Sequence, residues 1–167
     1  MQKMTIGTVL FDQVKGAAVV TLVEESGDRV LPIFIGIWEG MAILRELNRT
    51  PSPRPMLHDL FCNVLQGLQA HLEKVVVDSL SDATYHAQLH LKQQDTAIIA
   101  DARPSDAIAL AVKLQAPIYV AETVLETAGK REDFAMETEE EPKSATSKED
   151  VRAWLENIRP EDFADPH

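Results

Sequence analysis

The feature that most constrains this chain is that its first run of elements is followed by a second of the same kind. Shifting the sequence by 66 positions superposes the two runs without a gap: Asp12 meets Asp78, Val19 meets Tyr85, Ile33 meets Ile99 and Leu44 meets Leu110. Identities are few, but the pattern repeats. Thr5 to Leu10, Ala17 to Glu24 and Arg29 to Ile35 read as strands between turn residues, and Trp38 to Leu47 follows as a helix. Val75 to Asp78, Thr84 to Leu91 and Ala97 to Asp101 then precede a helix over Pro104 to Leu114. A gapless match of two such units points to duplication. The expected fold is α+β: a mixed β-sheet packed with helices, built on a duplicated strand-strand-strand-helix unit. A short strand over Pro117 to Val120 and helical turns over Glu122 to Ala128 close it.

Between the two units, Asn48 to Pro53 cannot continue a helix, because proline stops it. Pro55 then suits the first turn of another. Leu57, Leu60, Phe61, Val64, Leu65 and Leu68 recur at the spacing of one helical face, which predicts a buried stripe. His58, Asp59, Cys62 and Gln66 lie off it, and some of them face solvent, a partner or a site. Pro32 puts the third strand at an edge or on a bulge.

Aromatic residues make up only 5% of a chain that is 45% apolar, so the core must be aliphatic. The single cysteine, Cys62, argues against a disulfide scaffold or a cysteine-based zinc site. No signal-like segment opens the chain, and no apolar run reaches the roughly 20 residues that span a bilayer. The expected setting is cytoplasmic, with no membrane contact. The net charge of −11 is uneven. Residues 1–130 hold 11 basic against 15 acidic side chains, and residues 131–167 hold 5 against 12. Such a balance does not by itself attract nucleic acid. The expected organisation is a domain over 1–130, an acidic flexible linker over 131–147, and a short docking helix with its tail over 148–167. In that helix Val151, Trp154, Leu155 and Ile158 share a face.

Two helix starts have the same local form. Arg54-Pro55 is followed by His58-Asp59, and Arg103-Pro104 by Ser105-Asp106. Helix N-termini offer unpaired N–H groups and partial positive charge, which suit phosphate. Arg54 and Arg103 add bidentate contacts, with Ser105 beside them. Asp101, Asp106, Asp59 and Glu39 carry the oxygen ligands that Mg²⁺ or Mn²⁺ prefers, and such a metal activates water. His58 serves as general acid or base without one. Plainer roles compete. Ser105 and Asp106 suit helix capping, Glu39 suits the helix dipole, Arg103 suits a salt bridge with Asp101 or Asp106, and His58 suits a surface. His86 and His90 share a strand face but lack a third ligand. There is no glycine-rich phosphate loop, serine elbow or His-Glu-x-x-His motif. The residues alone reach a phosphate or metal site at two helix starts.

The run Leu31-Pro32-Ile33-Phe34-Ile35-Gly36 with Glu39, Arg54-Pro55 with His58-Asp59-Leu60, and Asp101-Ala102-Arg103-Pro104-Ser105-Asp106-Ala107-Ile108-Ala109-Leu110 with Ala116-Pro117-Ile118-Tyr119-Val120 closely resemble the bifunctional nuclease family. The likeness covers about residues 4–128, and Pro160-Glu161-Asp162-Phe163 resembles the end of many bacterial members. The resemblance implies DNase and RNase activity and a homodimer with a groove as its active site. The family pattern falls on Glu39, Arg54, His58, Asp59, Asp101, Arg103, Ser105 and Asp106. Gly40 stands where many members carry alanine, which weakens the first helix. The expectation is a nuclease acting on DNA or RNA with Mg²⁺ or Mn²⁺. Its catalytic groups would be Glu39, His58, Asp59, Asp101 and Asp106. Arg54, Arg103 and Ser105 would bind substrate, and Asp101 with Asp106 would hold the metal. The competing expectation is a non-enzymatic dimeric regulatory or adaptor module, in which the same residues are caps and salt bridges.

Overall fold

The computed structural model describes residues 1–131, so the expected acidic linker and C-terminal helix lie outside the described residues. A first antiparallel meander comprises β1 (Gln2–Asp12), β2 (Ala17–Glu24) and β3 (Arg29–Gly36), followed by α1 (Ile37–Leu47). After α2 (Leu57–Gly67) a second meander follows: β4 (Ala70–Ser81), β5 (Thr84–Gln93) and β6 (Thr96–Ala102), then α3 (Pro104–Leu114). The described chain closes with β7 (Ile118–Val120), α4 (Glu122–Ala128) and β8 (Lys130–Arg131). The strands form one sheet in the order β6-β5-β4-β7-β1-β2-β3-β8. Strand β7 joins the two meanders, parallel to β4 and antiparallel to β1, and so makes the sheet mixed.

The duplicated unit is present, but its register is 67 positions rather than 66. At 67, Ile37–Leu47 falls on Pro104–Leu114 end to end. Buried Val20, Leu22, Gly40, Met41 and Ile43 then fall on buried Ala87, Leu89, Ala107, Ile108 and Leu110. At 66, buried Ile33 would meet Ile99, which is 61% exposed. Strand side chains alternate, so a slip of one residue exchanges the faces. The core is aliphatic as expected: no aromatic residue is among the buried hydrophobic side chains described. Pro32 sits where β3 is flanked by β2 alone, since β8 reaches only Arg29 and Val30. A missing N–H there breaks no ladder.

Helix α2 departs from expectation. Leu57 is 70% exposed, Leu60, Val64 and Leu68 are also exposed, and only Leu65 of the expected stripe is buried. The inward face is instead His58, Phe61, Cys62 and Leu65, again at helical spacing. Apolar periodicity therefore located the helix and misjudged which side packs on the domain. His58 is turned inward as a result.

Gly40 also has a packing reason. A Cβ at this position would stand 2.7 Å from the Ala18 Cβ on β2 and 3.0 Å from Phe11 on β1. Helix α1 lies against the sheet at a distance that only glycine allows. Gly40→Ala should therefore lower stability by about 1–3 kcal/mol, the usual range for overpacking, although alanine is the better helix former. Urea unfolding of the two proteins checks this, and a more stable alanine variant would contradict it.

Candidate functional site

Each of the first three helices has an acid at its third position: Glu39 in α1, Asp59 in α2 and Asp106 in α3. The helix dipole favours an acid there. Asp59 caps its own helix, accepting a hydrogen bond from the Met56 backbone N–H at 2.7 Å. Glu39 and Asp106 do something else. Arg103 is the N-cap of α3, in extended conformation with no side-chain cap, and Pro104 opens the helix behind it. From there Asp106 reaches back to the guanidinium, accepting from Nε at 2.8 Å and Nη2 at 3.3 Å. Glu39, from the other half of the repeat, accepts from Nη1 at 2.8 Å. In the 67-residue register Glu39 and Asp106 are equivalent positions, so one arginine bridges a duplicated pair of acids. Gly36 makes room for this, because a methyl group there would occupy the place of the Glu39 carboxylate.

His58 enters from α2. Its Nε2 lies 3.5 Å from Asp106 Oδ1 and is buried without a hydrogen-bond partner. Lys113, in the last turn of α3, fixes α2 in place. Its ammonium donates to Glu46 of α1 at 3.0 Å and also pairs with Asp59. Burial lowers the Lys113 pKa, but the hydrogen bonds to Asp59 and Glu46 outweigh it and raise the pKa overall. The Lys113 hydrogen bond, aided by the Met56 N–H, holds the Asp59 carboxyl below its ordinary range. Glu39, His58, Asp59, Arg103, Asp106 and Lys113 all line one cavity of about 930 Å³. A site of this kind can bind an anion at Arg103 and move a proton at His58.

A profile of the bifunctional nuclease domain matches residues 20–133. The uncharacterized protein Rv1829 of Mycobacterium tuberculosis is 34% identical over 166 residues, covering 98% of both chains. Bifunctional nuclease 1 of Oryza sativa subsp. indica is 25% identical over 114 residues, which is 66% of this chain and 34% of the rice protein. Bifunctional nuclease of Oryza minuta matches to the same extent. The chain belongs to the bifunctional nuclease domain family.

In this family member the sequence-predicted residues divide. Glu39, His58, Asp59, Arg103 and Asp106 converge on the cavity. Asp101 does not line it. It sits on β6 between Ala100 and Ala102, which pack toward the core, so its side chain leaves the other face of the sheet. Ser105 is buried and, like Arg54, is not among the cavity residues, though Pro55 and Met56 are. Neither Ser105 nor Asp106 caps α3, and Arg103 pairs with Glu39 and Asp106 rather than Asp101. Arg45, Glu46, Lys113 and Trp38 line the cavity and were missed. Lys113 and Arg45 read as ordinary cations in a last helical turn, and the Lys113–Asp59 pairing spans too many residues for a local pattern to show.

The acids present do not fit a preformed divalent-cation site. Arg103 already occupies the space between Glu39 and Asp106, and Lys113 holds Asp59. Asp101 and Asp106 lie on different sides of the sheet. Among the described residues no group of three His, Cys, Asp or Glu side chains is placed to hold a metal ion.

The Asp59–Lys113 contact gives a pH dependence. A carboxyl whose pKa is depressed on folding stabilises the fold above its unfolded value, and that stabilisation is lost as pH falls through the lower folded value. Asp59→Asn should thus cost roughly 1 kcal/mol at pH 7, as a partly exposed pair does. The difference from wild type should shrink from about pH 4 downward. Urea midpoints at pH 7, 4 and 3 measure it, and a gap independent of pH would contradict the assignment.

Proposed function

We propose that the domain is a nuclease that hydrolyses phosphodiester bonds of DNA or RNA in the cavity beside Arg103. The observation that carries this reading is the state of the guanidinium. Two carboxylates engage three of its five N–H groups, which fixes its plane and leaves two for phosphate oxygens. Held rigidly, it stabilises charge that grows on those oxygens in the transition state. His58 moves the protons. With Nε2 3.5 Å from Asp106 Oδ1, Nδ1 exchanges a proton with substrate. Water, or an RNA 2′-hydroxyl, gives its proton to Nδ1 as the new P–O bond forms. The P–O bond to the leaving sugar oxygen breaks, and that oxygen takes a proton back.

Although the chain is acidic, the cavity lining is balanced, with Arg45, Arg49, Arg103 and Lys113 matched by Glu39, Glu46, Asp59 and Asp106. Cleavage with and without EDTA tests whether Mg²⁺ or Mn²⁺ is required. No described helix is long and apolar enough to cross a membrane. We also propose a homodimer. Its support is the family resemblance and the exposed stripe of Leu57, Leu60 and Val64 on α2, continued by Leu68 at its C-cap. Light scattering should give twice the chain mass of 18.5 kDa, and a concentration-independent mass of one chain would refute it.

Labelled RNA and single- and double-stranded DNA test the activity. His58→Gln should slow cleavage by about 10²–10⁴-fold, the usual share of a general acid–base group. Arg103→Ala should weaken binding and turnover together, and Asp106→Asn should slow turnover by disturbing both partners. Melting temperatures report whether each variant folds. Unchanged cleavage in well-folded His58→Gln and Arg103→Ala would remove these residues from catalysis, and no cleavage by wild type would favour the adaptor reading, in which these contacts only join helices.

A further inference from the structure

Two cations in the cavity lining are left unused by the chemistry above. Glu39, Ala42, Arg45 and Arg49 line the cavity and recur every three or four positions, so they share one face of α1 and its C-terminal end. The other two lining cations are already matched. Arg103 is held by Glu39 and Asp106, and Lys113 by Glu46 and Asp59, so two cations stand among four acids. Arg45 and Arg49 have no acid within ion-pair distance among the described residues. Nor is either guanidinium needed to close its helix. The carbonyls of Leu44, Arg45 and Glu46 accept from the backbone N–H groups of Asn48, Thr50 and Arg49, at 2.9, 3.0 and 3.1 Å. The uncompensated positive charge of the lining therefore lies at the C-terminal end of α1.

An unpaired guanidinium facing a cavity offers a forked donor that fits phosphate. Arg45 follows Glu39 by six positions, about 9 Å along the helix axis. Glu39 itself touches Arg103 at 2.8 Å. A stacked strand advances about 3.4 Å per phosphate, so about 9 Å corresponds to two or three phosphates. Resting on the nuclease reading of this cavity, we propose that Arg45 and Arg49 form a second phosphate subsite. It holds the backbone of the same strand two or three phosphates from the bond cut at His58. The substrate is then an oligonucleotide, and a dinucleoside monophosphate is a poor one. The two ends of the cavity divide the work. Arg45 and Arg49 supply attraction, while Arg103, with its charge matched by carboxylates, supplies a fixed direction. Binding of phosphates that do not react draws the reacting one into place.

The test uses the full chain with a labelled pentanucleotide and with the dinucleoside monophosphate of the same step, each in ribo and deoxy form. Wild type should show a kcat/KM at least about ten-fold higher on the pentanucleotide, the scale of one hydrogen bond to a charged group. Arg45→Ala and Arg49→Ala should each lower kcat/KM on the pentanucleotide by about ten-fold, and by far less on the short substrate. Arg45→Lys, which keeps the charge, should retain part of the difference. Anisotropy of a phosphorothioate pentanucleotide at rising KCl gives the binding arm. The slope of log affinity against log salt should flatten by about 0.7 for each arginine removed. A wild type that cleaves both lengths equally well would overturn the proposal, as would equal losses on both substrates in variants with unchanged melting temperature. In those cases cleavage itself persists, so the subsite falls and the nuclease reading stands. If the pentanucleotide binds with the arginine dependence and nothing is cleaved, the phosphate subsite stands and the nuclease reading falls. If wild type neither binds nor cleaves either length, both fall.

Discussion

Arg103 joins the two halves of a duplicated domain at the starts of their helices, and the order of the site depends on that contact. Its worth is not stability. A largely exposed pair contributes about 0–1 kcal/mol, whereas truncating one buried aliphatic side chain such as Ile43 costs about 2–5 kcal/mol. The aliphatic core therefore holds the fold, and the arginine sets geometry within it. Glu39 and Asp106 can face each other only because a cation lies between them.

Lys113 plays the matching part at the other end of the same helix. By contacting Glu46 and Asp59 it ties α1, α2 and α3 together, and so fixes the angle at which α2 presents His58 to Asp106. Two cations on α3, one at each end, thus determine where the only histidine in the cavity lining points. The arrangement uses charge for position and leaves energy to burial.

Much of this was legible in the sequence, and the limits have physical causes. The repeat, the strand order within each half and the helix limits follow from alternation, helical spacing and proline. The register was off by one because few identities constrain it, and only side-chain burial separates 66 from 67. Periodicity in α2 found the helix and misjudged its inward face, since Leu57, Leu60 and Val64 signal apolar surface without saying what covers it. At the site, Glu39, His58, Asp59, Arg103 and Asp106 were found through local motifs. Asp101 was grouped with Asp106 by nearness in sequence, yet a strand residue on the outer face leaves on the opposite side from the helix that follows. Lys113 and Trp38 belong to no motif, and only the packing of α1, α2 and α3 brings them to the cavity.

Phosphate binding between Arg103 and His58 is the step on which the site's chemistry depends. It is tested most directly by NMR of the ¹⁵N-labelled full chain during titration with a mononucleotide. The Arg103 Nε–H and the His58 ring signals should shift together along one saturating curve, with the Asp101 backbone amide unmoved. Shifts at Asp101 and its neighbours on β6, with Arg103 and His58 silent, would contradict the account.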